Sequence, residues 1–146
     1  MILLLLLIGY IASATPINSC GYIINTPGEY YLTTDLFINT NYCITILTTN
    51  VTINGNGKKI INNSTYSSFY SIYTDISPLT SNLNITIKNL VIHYSRISLR
   101  TVMGTNNYIN LSNVTFDRVD SEIAVGSTNN YNNTIILEDV NLINYS

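Results

Sequence analysis

The chain has 146 residues, a length for one domain, with a net charge of −2 and only 10% charged residues against 46% hydrophobic ones. So few Lys and Arg leave no electrostatic footprint for nucleic acid. The abundance of Ile, Thr and Tyr argues for a strand-rich chain over a disordered one, kept soluble by Asn, Thr, Ser and Tyr. An AT-rich genome produces the same Asn, Ile and Tyr richness, a reading that carries no function.

Residues 1–14 read as an export signal. Ile2 to Ile8 form an apolar core, and Ala12-Ser13-Ala14 is a small-x-small cleavage site. The terminal amine supplies the only positive charge ahead of that core. The alternative is an uncleaved anchor, but about a dozen apolar residues are short for a membrane span. Nothing later is long and apolar enough to span, so the mature chain is expected to have no membrane span and to be secreted or held at the cell surface.

Residues 15–42 read as an N-terminal cap and residues 43–146 as stacked coils. Two cysteines, Cys20 and Cys43, lie in the mature part. In an exported chain they are expected to form a disulfide that ties the cap to the first coil. Two free buried thiols in a reducing compartment are the alternative. Neither a Cys-x-x-Cys nor a histidine accompanies them, which argues against a metal site.

From residue 51 onward one phrase returns four times. It reads Val51-Thr52-Ile53-Asn54-Gly55-Asn56-Gly57, then Ile85-Thr86-Ile87-Lys88-Asn89-Leu90-Val91-Ile92. It returns as Ile109-Asn110-Leu111-Ser112-Asn113-Val114-Thr115-Phe116 and as Ile135-Ile136-Leu137-Glu138-Asp139-Val140-Asn141-Leu142. Two alternating strands meet at an Asn or Asp corner, and the corners Asn89, Asn113 and Asp139 recur about every 25 residues. Ile44-Thr45-Ile46, Ile72-Tyr73-Thr74, Ile97-Ser98-Leu99 and Ile123-Ala124-Val125 form a leading strand ahead of each copy. Three short strands per turn, in and out by alternation, predict a solenoid whose like residues stack about 4.8 Å apart. Ile85, Ile87, Leu90, Ile92, Ile109, Leu111, Val114, Phe116, Ile135, Leu137, Val140 and Leu142 are expected to point inward. The corner column suits Asn, which tolerates left-handed dihedrals.

The chain resembles the right-handed parallel β-helix superfamily of pectate lyases and polygalacturonases, and more closely the secreted β-helix repeat proteins of prokaryotic, especially archaeal, surfaces. The front carries the resemblance. Ser19-Cys20-Gly21-Tyr22-Ile23-Ile24-Asn25-Thr26-Pro27-Gly28-Glu29-Tyr30-Tyr31-Leu32 looks like the entry cap, followed by Cys43-Ile44-Thr45-Ile46 and the run from Asn50 to Ile60. The resemblance implies an all-β, right-handed solenoid of about four coils with an N-terminal cap. It implies little about activity, because this fold hosts enzymes, binders and inert scaffolds.

Polygalacturonase-like enzymes carry Asn-x-Asp, Asp-Asp, Gly-His-Gly and Arg-x-Lys, and none of these occurs here. Lyase-like members use clustered acids for calcium and an arginine as base. The nearest approach is Asp117-Arg118-Val119-Asp120-Ser121-Glu122, where both signs are mixed as in a solvated turn. Aligning Ile92 with Phe116 stacks the lone histidine, His93, on Asp117. No residue is therefore assigned to catalysis, and His93, Asp117 and Asp120 are the set that an enzyme would use.

Aligning Ile72, Ile97 and Ile123 groups Ser71 with Arg96 and Glu122, Tyr73 with Ser98 and Ala124, and Asp75 with Arg100 and Gly126. Cross-strand pairing that fixes register accounts for these charges. The functional reading is a saccharide platform made of Tyr73, Asp75, Arg96, Arg100 and Glu122. No cofactor and no metal are expected.

Sequons occur at Asn50, Asn62, Asn63, Asn84, Asn110, Asn113, Asn132 and Asn144. Asn62, Asn63 and Asn84 are the best acceptor candidates, whereas Asn113 sits in the corner column and is a poor one. At the C-terminal end the last strand has no helix or polar cap behind it. A covering partner or further repeats, a short family member, and truncation all remain open there. The sequence thus points to a secreted or cell-surface module, non-catalytic, structural or carbohydrate-binding, with glycans or surface proteins as partners. The competing class is a polysaccharide lyase or glycoside hydrolase.

Overall fold

The computed structural model describes residues 13–63, 69–74, 82–98, 106–118, 132 and 134–143, with residues 96–98 described in backbone only. Residues 1–12 of the signal segment, the leading strand at 123–125, and Asp75, Arg100, Asp120, Glu122 and Asn144 lie outside the described residues.

Among the described residues the elements are all strands: β1 (Thr15–Ile17), β2 (Tyr22–Ile24), β3 (Gly28–Leu32), β4 (Leu36–Phe37), β5 (Tyr42–Ile46), β6 (Val51–Asn54), β7 (Lys59–Ile61), β8 (Tyr70–Thr74), β9 (Asn84–His93), β10 (Arg96–Ser98), β11 (Tyr108–Asp117), β12 (Thr134–Glu138) and β13 (Asn141–Ile143). Every pairing is parallel, and the strands stack as a β-solenoid of about four turns. No helix of the described residues is long and apolar enough to cross a membrane.

Two walls result. One carries the order β1-β3-β6-β9-β11-β12, with β4, β7 and β13 continuing it beyond the corners, and the other carries β10-β8-β5-β2. In β9 and β11 the two strands of the repeated phrase run on through the corner as one bent strand. Within the stretch read as a cap, β2, β3 and β4 pair in register with β5, β6 and β7, so coil stacking reaches back to Tyr22.

Register follows the alternation. Tyr30, Ile53, Ile87, Leu111 and Leu137 form one inward column, and Leu36, Ile60, Ile92, Phe116 and Leu142 another. From Ile85 to Phe116 the predicted inward residues are all buried. Shifting any strand by one residue turns its whole apolar set outward, which is why this register is strongly specified.

The last coil departs from expectation. Ile135, Leu137 and Leu142 hold their columns but are 44%, 54% and 65% exposed, and Val140 is only partly buried. Among the described residues no further coil stacks over them, so alignment with the core does not become burial.

The corners are left-handed as predicted. Asn89, Asn113 and Asp139 have φ of 54°, 52° and 52°. A second such column, unforeseen in the sequence, comprises Asn82, Asn106 and Asn132, each three residues ahead of a strand's first inward Ile. The first coil turns differently. Asn54 pairs with Lys88 but Lys59 pairs with Val91, so the segment of residues 55–58 faces only Asn89 and Leu90. Gly55 fits there because a Cβ would stand 2.4 Å from the Asn89 carbonyl oxygen and 2.7 Å from the Leu90 Cα.

Cys20 and Cys43 form the expected disulfide, with Cα atoms 4.1 Å apart. The Gly21 N–H donates to the Cys43 carbonyl beside it at 2.8 Å. Closing a loop of this length contributes about 3 kcal/mol in the chain-entropy account.

Candidate functional site

Of the residues predicted for a platform, Tyr73 is the one whose side chain is described, on the outer face of the β2-β5-β8-β10 wall. Tyr73 projects outward in a column with Thr45 and Ser98, as the alignment required. It does not stand alone. Its ring stacks on Tyr42 with centroids 4.1 Å apart and planes at 25°, and Tyr70 lies 5.7 Å from Tyr42 and 5.9 Å from Tyr73. All three rings are partly exposed. Offset stacking of this kind favours the cluster beyond the area it buries.

Tyr42 and Tyr70 were not anticipated as members. Their signal is a shared Tyr-x-Ile, since each lies two residues ahead of an aligned inward Ile, Ile44 or Ile72. The expected pairing of Arg96 with Ser71 does not form. Arg96 pairs with Tyr70, and the register shifts before Ile97 meets Ile72. The extra residue, Ser71, is the bulge. Its hydroxyl is buried without a hydrogen-bond partner. Of the other predicted platform residues, Asp75, Arg100 and Glu122 lie outside the described residues, as does the Arg96 side chain.

The second candidate lies past the corner of β9 and β11. His93 aligns with Asp117, and His93 Nδ1 lies 2.9 Å from Asp117 Oδ2, with side chains 26% and 27% exposed. The next column holds Tyr94 and Arg118, both left-handed at φ 54° and 55°, an unusual conformation for bulky side chains. Arg118 donates from a terminal nitrogen to the Tyr94 hydroxyl and holds its guanidinium carbon 5.5 Å from that ring. The Tyr94 hydroxyl bond, with a smaller contribution from Asp117, raises the Arg118 guanidinium further above its ordinary value. The His93 ring meets the edge of Tyr94 at 4.3 Å.

This quartet orients an imidazole by a carboxylate, the arrangement a general base requires. The one hydroxyl in the quartet, on Tyr94, is engaged by Arg118. Asp120, the third residue of the runner-up set, lies outside the described residues. Among the described residues no three His, Cys, Asp or Glu side chains gather as a metal site would require.

The sequon candidates separate by exposure. Asn62 is 4% exposed and its N–H donates to the His93 carbonyl, a poor setting for a glycan. Asn63 and Asn84 are exposed. Asn113 is exposed too, but its amide nitrogen is engaged at the corner. No protein-family model, curated protein or solved structure matches this chain; the structure shows a parallel β-solenoid of about four turns, consistent with a β-helix fold.

Proposed function

We propose that the chain is a secreted or cell-surface solenoid module that binds carbohydrate without turning it over. The observation that carries this reading is the outward cluster of Tyr42, Tyr70 and Tyr73 on a wall of parallel strands. Aromatic faces pack against the apolar C–H faces of sugar rings, and rings already stacked on one another lose little conformational freedom on binding. The Cys20–Cys43 disulfide is compatible with an oxidising compartment. The low charge suits a ligand recognised by hydroxyl and amide groups.

The test is calorimetric titration of the full chain with neutral and acidic polysaccharides, beside Tyr73→Ala. Binding that weakens at least about tenfold in the variant, with unfolding unchanged, supports the reading. Failure of every polysaccharide to bind overturns it and favours a purely structural role. The runner-up enzyme is favoured by the His93–Asp117 pair. Product formation from any polysaccharide that is abolished by Asp117→Asn would establish it.

A further inference from the structure

On the opposite wall, the outer face of β3 and β6 holds a cleft of about 180 Å³. Its lining includes Ala14, Glu29, Tyr31, Thr52, Asn54 and Asn56. Strand alternation produces it. Tyr30, Leu32, Val51 and Ile53 point into the core, which turns Glu29, Tyr31, Thr52 and Asn54 outward. Pairing sets Glu29 beside Thr52 and Tyr31 beside Asn54, so the four side chains mark the corners of a small rectangle. Ala14 and Asn56 stand at its ends.

The donor and acceptor set is specific. Glu29 offers a carboxylate, the strongest kind of acceptor for a hydroxyl. Thr52 and Tyr31 each supply a hydroxyl that donates or accepts. The Asn54 Oδ1 is occupied by the Asn56 N–H at 2.9 Å and by Asn89 Nδ2 at 3.1 Å, which leaves its own Nδ2 hydrogens as what it offers a ligand. The two Asn54 bonds also fix that side chain before any ligand arrives. The Tyr31 ring supplies the apolar wall. With Ala14 in place no cation is among the cleft's lining residues, whereas cleavage after Ala14 would set the Thr15 α-ammonium beside it.

From this set we infer that the cleft is a subsite for an uncharged sugar ring. The ring packs a C–H face on Tyr31, donates a hydroxyl to Glu29, and takes donors from Thr52 and Asn54. In the full, uncleaved chain the Glu29 carboxylate rejects a uronic acid there, because like charges in a partly enclosed site repel with no cation to offset them. The outward columns continue beyond the cleft as Thr86, Asn110 and Ile136 from Thr52, and as Lys88, Ser112 and Glu138 from Asn54. A chain of neutral units lying along the solenoid axis meets hydroxyl or amide groups together with Lys88 as far as β11, and Ile136 and Glu138 in the last coil. Nothing in the repeated phrase marked these positions, because the outward residues differ from copy to copy while the inward ones recur.

This inference rests on the carbohydrate-binding reading but places a site on a different wall from the tyrosine cluster, so the two fail separately. The experiment is saturation-transfer NMR and calorimetry of the full chain with maltose, cellobiose and mannobiose, and with digalacturonate as the acidic counterpart. The variants are Tyr31→Ala, Glu29→Gln and Tyr73→Ala, each checked for unchanged thermal unfolding. The expected result is binding of at least one neutral disaccharide and none of digalacturonate. Tyr31→Ala weakens neutral binding at least tenfold, and Glu29→Gln weakens it severalfold while admitting digalacturonate. Neutral binding that survives both Tyr31→Ala and Glu29→Gln but is lost in Tyr73→Ala overturns the cleft and leaves the tyrosine platform standing. Digalacturonate binding to the unmodified cleft, at least as tight as neutral binding and lost in Tyr31→Ala, overturns the stated specificity. No binding of any of the four sugars overturns the cleft as a subsite for such rings.

Discussion

Asn113 donates its side-chain amide to the Asn89 Oδ1 at 2.9 Å, from the corner of one coil to the corner of the next. Asn89 passes the same bond on to Asn54 Oδ1 at 3.1 Å. Asn89 therefore accepts from one neighbour and donates to the other, which links the corners of three successive coils. Asp139 takes the next corner with the same backbone conformation but has no N–H to donate. Asn89 thus serves two needs, a left-handed backbone and a two-sided hydrogen bond.

Replacing Asn89 separates those needs. Asn89→Ala loses both side-chain bonds and forces a Cβ residue without local compensation into φ near +54°. At about 1–2 kcal/mol for the dihedral and about 1 kcal/mol for each bond, the cost is about 3–4 kcal/mol. Asn89→Gly relaxes the backbone and loses only the side-chain bonds, so it should cost about 2 kcal/mol. Urea unfolding of the two variants measures the difference. Equal costs would mean that the dihedral contributes nothing.

Gly55 makes a sharper contrast. The Asn89 carbonyl and Leu90 Cα that its absent Cβ would meet are backbone, which cannot rotate away. Gly55→Ala should therefore cost at least about 3 kcal/mol, at or above the usual range for overpacking. Gly57 has φ of +72° but open space where its Cβ would go. Gly57→Ala should cost only about 1–2 kcal/mol, the left-handed penalty alone. Thermal unfolding of both variants side by side checks the order.

Much of this architecture was legible because it repeats. The inward columns and Asn89, Asn113 and Asp139 could be aligned by eye, since burial selects the same residue class in each coil. The stacking of His93 on Asp117 followed from that alignment alone. What repeats weakly was missed. Asn82, Asn106 and Asn132 share only an Asn-x-x-Ile spacing, a weak signal in a chain rich in both residues. The Ser71 bulge shifts register with no Gly or Pro to announce it, so Arg96 was placed one residue off. The exposure of Leu142 was invisible for another reason: an apolar residue in register records which column it belongs to, not whether anything stacks upon it. Tyr31 and Glu29 escaped notice because outward positions are free to vary.

The His93–Asp117 contact should be energetically small despite its good distance. Both side chains are about a quarter exposed, so solvent screens the pair. A double-mutant cycle with His93→Ala and Asp117→Ala should return a coupling of about 0.2–1 kcal/mol, smaller at high salt. A coupling above about 2 kcal/mol, unchanged by salt, would show that the pair behaves as a buried one and would strengthen its claim to a role in chemistry.

The last prediction compares two residues that share a column and differ in what lies above them. Phe116 is 4% exposed beneath the final coil, and Leu142, its partner in register, is 65% exposed. Phe116→Ala removes a ring from a packed core and should cost about 3–5 kcal/mol. Leu142→Ala removes a side chain that keeps most of its contact with water and should cost less than about 1 kcal/mol. Alternation alone treats the two residues alike; stacking sets them apart. Chemical denaturation of the full chain at low protein concentration decides between these views. A cost near 3 kcal/mol for Leu142→Ala would mean that the end face is covered in solution, and its dependence on protein concentration would tell whether a second copy covers it.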